Sequence, residues 1–308
     1  MSTGGEAIAL SVSGLNKNYG DFPVIRGLDL SIATGAIHGL VGLNGSGKTT
    51  TLECMLGLQS FNSGKISLLD FPPSDLHRAR GRIVGIFDTP SLNPNLTIRQ
   101  CLHHAALLCD NTVRSPAEVE ALLGIERFSG FKIKHLSLGN KRRASIAQAL
   151  LGEPELVVLD EPFNGLDAGG VDDVLGLISR LNKEHGTTFL LSSHQLPYLE
   201  RVCSHIAILH HGSIVASDAI GSLLAQTNNM VLLKSPAASA ARALVDQLEG
   251  ARFSHQDEAG LLHIAIDGLD SAQLNQQLVA GQVPVSELIL QRASLDSLFR
   301  KLTSGPLS

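Results

Sequence analysis

Gly42-Leu43-Asn44-Gly45-Ser46-Gly47-Lys48-Thr49 lies between Ile37-His38-Gly39-Leu40-Val41 and Thr50-Thr51-Leu52. A Gly, four free positions and Gly-Lys-Thr form the phosphate-loop pattern, here set between a strand-like apolar run and a helix-like one. The chemistry needs that order. Glycines without Cβ let the backbone wrap closely around a polyphosphate. Several N–H groups then point inward as an anion nest, backed by the positive end of a helix starting near Gly47. Lys48 supplies a charge to the β- and γ-phosphates, and Thr49 a hydroxyl for Mg²⁺. Asn44, Ser46 and Thr50 complete the nucleotide-binding stretch, with Gly42, Gly45 and Gly47 as its turns. These residues imply a chain that binds a nucleoside triphosphate.

Outward from this loop the pattern is α/β. Ile8 to Val12 and Val24 to Ile32 read as strands, and Thr50 to Gly57 as a helix ending at its glycine. Lys65 to Leu69 and Ile83 to Phe87 are short apolar strands. Leu156-Val157-Val158-Leu159 and Thr188-Phe189-Leu190-Leu191 are continuous apolar runs, as in the buried centre of a parallel sheet. Helical patterns at Ala144 to Leu151 and Val171 to Leu181 lie between strands. From about 95 to 140 the apolar spacing turns helical, which predicts a helical insert. Gln226-Thr227-Asn228-Asn229 reads as a linker, so the expected domains are 1–226 and 227–308. The second, a small α+β appendage, combines strands near 231–233, 261–266 and 288–290 with helices at 237–248 and 272–278. Ser235-Pro236 and Asp270-Ser271 offer starts to those helices. No chemical motif falls within it.

Leu159 runs straight into Asp160-Glu161-Pro162. An aspartate ending a buried strand can hold Mg²⁺ opposite Thr49, and the next carboxylate, Glu161, is placed to polarise an attacking water. Leu136-Ser137-Leu138-Gly139-Asn140 precedes Lys141-Arg142-Arg143 and a helix. Ser137 can cap that helix, and the basic run reads as its solvated start. The segments at 42–49, 136–140 and 156–162 together resemble the ATP-binding cassette (ABC) family, and the resemblance extends from Ile8 to about Leu224. Tyr19-Gly20 resembles its adenine-stacking loop. Asn164-Gly165-Leu166-Asp167 resembles the loop that reaches across a cassette dimer, and Ser192-Ser193-His194 the switch histidine.

The resemblance implies a phosphate-loop ATPase of ABC type: a mixed-sheet core, a helical insert and an antiparallel β subdomain. It implies two chains packed head to tail around two ATP molecules with Mg²⁺. Each γ-phosphate would meet Lys48 and His194 of one chain, and Ser137 with the Gly139 backbone of the other. Glu161 would be the hydrolytic base, with Asp167 at the dimer seam. Leu138 and Asn140 depart from the usual Gly and Gln of the signature. Asp88 stands where the family usually carries a Gln that senses both Mg²⁺ and the membrane subunit, and the resemblance implies that Asp88 keeps that role and joins Thr49 and Asp160 at the Mg²⁺. With the following 89–97 stretch, it resembles cassettes of the bacitracin-resistance and lantibiotic-immunity type. The stretch 294–303 resembles the end of drug- and antibiotic-exporting cassettes.

At 308 residues the chain has room for a full core and a smaller unit. A net charge of −5, with no long basic run, argues against nucleic acid as the main partner. No apolar stretch approaches the roughly 20 residues of a bilayer span, and Met1 to Glu6 carries no basic start typical of a signal peptide. Four scattered cysteines suit a reducing compartment. The expected protein is cytoplasmic and peripheral on the inner face of the cell membrane, with a separate integral membrane permease as partner. It is expected to power an exporter of an antibiotic, peptide or other small molecule. The alternative is a soluble cassette ATPase acting on ribosome or DNA.

Overall fold

The structure, a computed structural model, describes residues 7–88, 91–109, 112–225, 229–291 and 294–303. The chain divides into two compact units after Ile220. The expected boundary at 226/227 lies outside the described residues, as do Met1 to Glu6 and two positions of the stretch following Asp88.

In the first unit, β1 (Ile8–Tyr19) and β2 (Phe22–Ala33) pair antiparallel. Both strands run further than their apolar alternation because the hairpin continues to the Tyr19–Phe22 pair. β3 (Ile37–Val41) leads through the glycine-rich loop into α1 (Lys48–Met55), and β4 (Ser63–Leu68) returns to the other edge of β1. β5 (Ile83–Ile86) precedes the helical insert: α2 (Ile98–Leu108), α3 (Pro116–Leu122) and α4 (Leu138–Ala149). Then follow β6 (Leu156–Asp160), α5 (Ala168–His185), β7 (Thr188–Ser193), α6 (Leu196–Val202), β8 (His205–His210) and β9 (Ser213–Ala219); α7 (Ile220–Ala225) starts at the division and falls otherwise in the second unit. β5-β6-β7-β3-β8-β9 form a six-stranded sheet, parallel except for the hairpin partner β9.

Every residue of β3, β6 and β7 is buried, which is why these strands are apolar runs and not alternations. One core joins this sheet to the β2-β1-β4 sheet: Leu10, Leu15 and Ile25 meet Leu40, Leu52, Met55 and Leu190. In the insert, capping boxes fix two helix starts, Thr97 with Gln100 and Ser115 with Glu118. Glu120 of α3 is fully buried and is held by the Arg99 guanidinium and the Ser129 hydroxyl. α5 buries Val171, Val174, Leu175, Ile178 and Leu181 on one stripe and stops at Gly186 in the left-handed region.

The second unit is a split βαβ arrangement. It runs β10 (Asn229–Lys234), α8 (Ala238–Val245), β11 (Ala251–Gln256), β12 (Leu262–Ile266), α9 (Ser271–Ala280), β13 (Glu287–Gln291) and α10 (Leu295–Thr303). The sheet order is β11-β12-β10-β13, antiparallel throughout. Sequence reasoning does not predict β11, a polar edge strand mostly exposed along its length. Of the expected linker, Asn229 instead opens β10. Ser235 does not cap α8; its hydroxyl closes a turn by accepting from the Ala237 N–H and donates to the Pro284 carbonyl. Asp270 does cap α9, in a box with Gln273.

Candidate functional site

The carboxyl ends of β3, β6 and β7 converge, the place where open α/β sheets bind ligands. Behind β3 the phosphate loop turns into α1 at Gly47, whose φ of 105° is open to glycine and closed to side chains in practice. No side chain caps α1, so its first N–H groups remain available to an anion. Lys48 is buried; its ammonium donates to the Gly42 carbonyl at 2.8 Å and lies 3.4 Å from Glu161 Oε1. Ser46 packs against Gly42, and its buried hydroxyl has no hydrogen-bond partner.

β6 delivers the two carboxylates. Asp160 accepts from the Thr49 hydroxyl at 2.9 Å and from the Ser192 hydroxyl at 2.6 Å. Glu161 accepts from the Ser193 hydroxyl at 3.1 Å, and His194 Nδ1 lies 3.0 Å from both its oxygens. Glu161 also sits at φ 46°, a left-handed conformation rare for a residue with a side chain. Its own N–H donates to the Ser192 carbonyl at 2.8 Å. A cleft of about 440 Å³ opens over this group. Tyr19, Asn44, Gly45, Gly47, Lys48, Thr49, Thr50, Asp88, Asp160, Glu161 and His194 line it, joined by Val24 and Asn164. Tyr19 is half exposed, with the Lys17 ammonium 4.7 Å from its ring centre and its hydroxyl accepting from Gln59.

Ser137, Gly139 and Asp167 stand apart from the cleft lining. Ser137 caps α4 by accepting from the Asn140 N–H at 3.3 Å, and Asp167 caps α5 through the Gly170 N–H at 2.9 Å. Leu138, the departure from the usual signature glycine, has a place to go. It lies over Gly165, where a Cβ would come within 2.1 Å of its Cδ2.

The basic run after it is not a solvated helix start. Arg142 is 1% exposed, the largest fully buried side chain among the described residues, and Arg143 is ion-paired with Asp173. Arg142 was hidden because its acceptors are distant in sequence: the Phe87 and Asp88 carbonyls, the Asp88 carboxylate and the Glu161 carbonyl. Burial lowers the pKa of its guanidinium, opposed by Asp88, Asp160 and Glu161. Asp88 is therefore held at the cleft edge by Arg142 at 3.0 Å, with Asn164 Nδ2 at 3.4 Å. Asn164, Ser192 and Ser193 belong to segments singled out in the sequence. Only the pairing of β6 with β7 assigns Ser192 to Asp160 and Ser193 to Glu161, while the Asn164 side chain meets Asp88 and Gln195.

A phosphate loop, a strand-end carboxylate pair and a strand-end histidine within one parallel sheet define a nucleoside-triphosphate-hydrolysing cassette. The family described as ABC transporter matches residues 25–164. The bacitracin transport ATP-binding protein BcrA of Bacillus licheniformis is 30% identical over 96% of this chain and 97% of that protein. The Nod factor export ATP-binding protein I of Burkholderia orbicola is 33% identical over 68% of this chain and 70% of its own. A solved ATP-binding subunit of an ABC transporter superposes with a TM-score of 0.64 at 29% identity, covering 71% of this chain and 92% of that one. The chain belongs to the ABC transporter ATP-binding protein family, and as such it is an ATP-binding, ATP-hydrolysing transporter subunit.

Proposed function

We propose that this ATPase powers a bacterial exporter of an antibiotic, peptide or other small molecule, as a head-to-tail homodimer beneath a separate integral membrane permease. It would sit in the cytoplasm, peripheral on the inner face of the membrane; no helix among the described residues is long and apolar enough to cross a bilayer. The observation that carries the hydrolytic part is the Glu161 carboxylate, gathered by Lys48, Ser193 and His194 beside the Thr49–Asp160 pair. Glu161 takes the proton of the attacking water, and Lys48 carries charge at the phosphates. His194 Nδ1 is engaged by Glu161, which leaves Nε2 as the ring atom for the γ-phosphate.

The site fits Mg²⁺, an ion that keeps most of its waters and asks for one carboxylate, one hydroxyl and substrate phosphates. Thr49 and Asp160, already 2.9 Å apart, are the residues to hold it; Asp88, at the cleft edge, has its carboxylate engaged by Arg142. Bound there, the ion neutralises charge developing on the phosphates. Ser137 and Gly139 lie off the cleft of their own chain, which supports a role at the γ-phosphate of a second copy, with Asp167 at the seam. Residues 227–308 form an accessory domain that stabilises or regulates the dimer.

The transport and export names of the relatives favour this function over a soluble cassette ATPase on ribosome or DNA. The test is a pull-down of tagged Glu161→Gln chain with ATP and Mg²⁺ from gently solubilised host membranes. A dimer with a polytopic membrane protein is expected. Ribosomal proteins without a membrane subunit would overturn the exporter assignment.

A further inference from the structure

Arg142 lies five positions beyond the α4 cap, outside every motif recognised in the sequence, yet its guanidinium is fully buried. Nη1 donates to the Phe87 carbonyl at 2.7 Å. Nη2 donates to the Asp88 carbonyl at 2.8 Å, the Asp88 carboxylate at 3.0 Å and the Glu161 carbonyl at 3.2 Å. A buried cation is costly unless its partners are close and well oriented. Here every acceptor belongs to one of two places: the chain leaving β5, and the residue that carries the hydrolytic carboxylate.

Glu161 is the residue that needs holding. Its φ of 46° costs on the order of 1 kcal/mol or more for a side-chain-bearing residue and persists only if its neighbours over-determine it. Three hydrogen bonds grip its peptide: the N–H is tied to Ser192 of β7, and the carbonyl accepts from Arg142 of α4 and from the Asn164 N–H, each at 3.2 Å. The same guanidinium grips Asp88, so a displacement of the Asp88 backbone cannot occur without disturbing the group that sets the Glu161 carbonyl. A second link runs outside it: Asn164 Nδ2 lies 3.4 Å from Asp88, and Asn164 Oδ1 accepts from Gln195, next to His194.

We propose that Arg142 is a positioning residue that couples Asp88 to the backbone of Glu161, so that the catalytic carboxylate is aimed only while the Asp88 loop is in place. Asp88 then acts on hydrolysis through Arg142 and not as a metal ligand. This rests on Glu161 being the hydrolytic base. The fork is required because its acceptors are reached from two separate nitrogens, Nη1 and Nη2; an ammonium offers charge at one nitrogen only.

The test measures ATP turnover, nucleotide affinity and Mg²⁺ dependence of the full-length protein for Arg142→Gln, Arg142→Lys, Asp88→Asn, the Arg142→Gln/Asp88→Asn double variant and Glu161→Gln. A misaimed base costs up to about 100-fold in rate. Arg142→Gln and Arg142→Lys are therefore expected to lower kcat by about 10- to 100-fold, with ATP Kd and KM within about threefold of the parent. Asp88→Asn is expected to lower kcat by a smaller factor with an unchanged Mg²⁺ half-saturation, and to add nothing in the Arg142→Gln background. Arg142 variants with kcat within twofold of the parent would overturn the coupling. So would an Asp88→Asn effect that is fully additive or appears as weaker Mg²⁺ dependence. If neither Arg142 variant folds, Asp88→Asn decides alone: lower kcat at constant Mg²⁺ half-saturation supports the coupling, and unchanged kcat overturns it. Glu161→Gln separates the two levels. If it retains turnover, the hydrolytic assignment itself fails; if it abolishes turnover while Arg142→Lys does not, only the coupling fails.

Discussion

The two units are both layered structures of strands and helices, yet they bury different things. Among the described residues, every buried polar or charged side chain belongs to the first unit, including Lys48, Glu120, Arg142, Asp160, Glu161, Ser192 and Ser193. The core of the second is Val231, Leu233, Val245, Ile264, Leu274, Leu278 and other apolar groups. Burying charge is costly unless it is paired and hydrogen-bonded, and these groups are: Lys48 with Glu161, Glu120 with Arg99, Arg142 with Asp88. Around the cleft, at Lys48, Asp160 and Glu161, the first unit accepts that cost because phosphoryl transfer needs charges held before substrate arrives, whereas the Glu120–Arg99 pair lies in the helical insert away from the cleft lining. The second carries no such cost, which is what a packed accessory scaffold looks like.

Glu161→Gln tests the contrast hardest. The amide keeps the size of the carboxylate and one acceptor oxygen, but its NH2 only donates and it cannot take a proton. ATP turnover should fall by about 1,000-fold, within the usual range for a lost general base, while nucleotide affinity stays near the parent value. Steady-state hydrolysis and equilibrium nucleotide binding on the same preparation check it. Turnover within tenfold of the parent would mean that the buried charges are structural, and the two units would then differ only in composition.

Ile264→Ala asks the converse question of the second unit. Ile264 is fully buried at the centre of β12. Truncation should lower the stability of this unit by about 2–5 kcal/mol, with the spread set by how far the cavity collapses. Below the unfolding transition, kcat/KM for ATP should stay within twofold. Denaturant melts followed by hydrolysis assays measure both. Loss of turnover in step with stability would break the contrast, because the appendage would then be part of the machine.

The site was readable where the chemistry is contiguous. Gly42 to Thr49, Asp160-Glu161 and His194 each end or follow a buried apolar strand, and short-range order fixes what those residues must do. What sequence could not supply is anything decided by strand pairing. Arg142 looks like one of three surface cations until Phe87, Asp88 and Glu161 are brought around it. Ser192 and Ser193 become partners of Asp160 and Glu161 only when β6 and β7 lie in register. In the second unit β11 was illegible for a simpler reason. As an edge strand bonded only to β12, it exposes most of its side chains and needs no apolar alternation.

Not every buried polar group of the first unit is satisfied. His38, on β3 at the end opposite the phosphate loop, is 4% exposed, and its Nε2 has no partner. Burial and the stacked His205 ring lower its pKa from the ordinary 6.5 to about 4. The unfolded chain therefore binds a proton as pH falls through 6.5, while the native state resists until about 4. Its contribution to stability is complete above pH 6.5 and lost progressively down to pH 4, by about 3 kcal/mol in all. His38→Leu should flatten the stability–pH curve over that window while leaving the second unit's melt unchanged. An identical slope in the variant would place the acid sensitivity elsewhere.

The smallest effect sharpens the contrast from the other side. Asp270 caps α9, accepting from the Gln273 N–H at 2.7 Å while the Gln273 side chain accepts the Asp270 N–H at 2.9 Å. Both bonds satisfy donors that the first turn of a helix otherwise leaves open. Asp270→Ala removes one of them on an exposed surface and should lower the second unit's stability by about 1 kcal/mol. Asp270→Asn, which keeps an acceptor at the same atom, should recover most of that loss. Asp167 makes the same kind of bond to the Gly170 N–H at the start of α5, next to Asn164 and Gly165. If the buried chemistry of the first unit is what separates it from the second, Asp167→Ala should cost a similar stability and lower ATP turnover as well. Asp270→Ala should leave turnover alone. Equal effects of the two cap variants on turnover would mean that the α5 cap is only a cap.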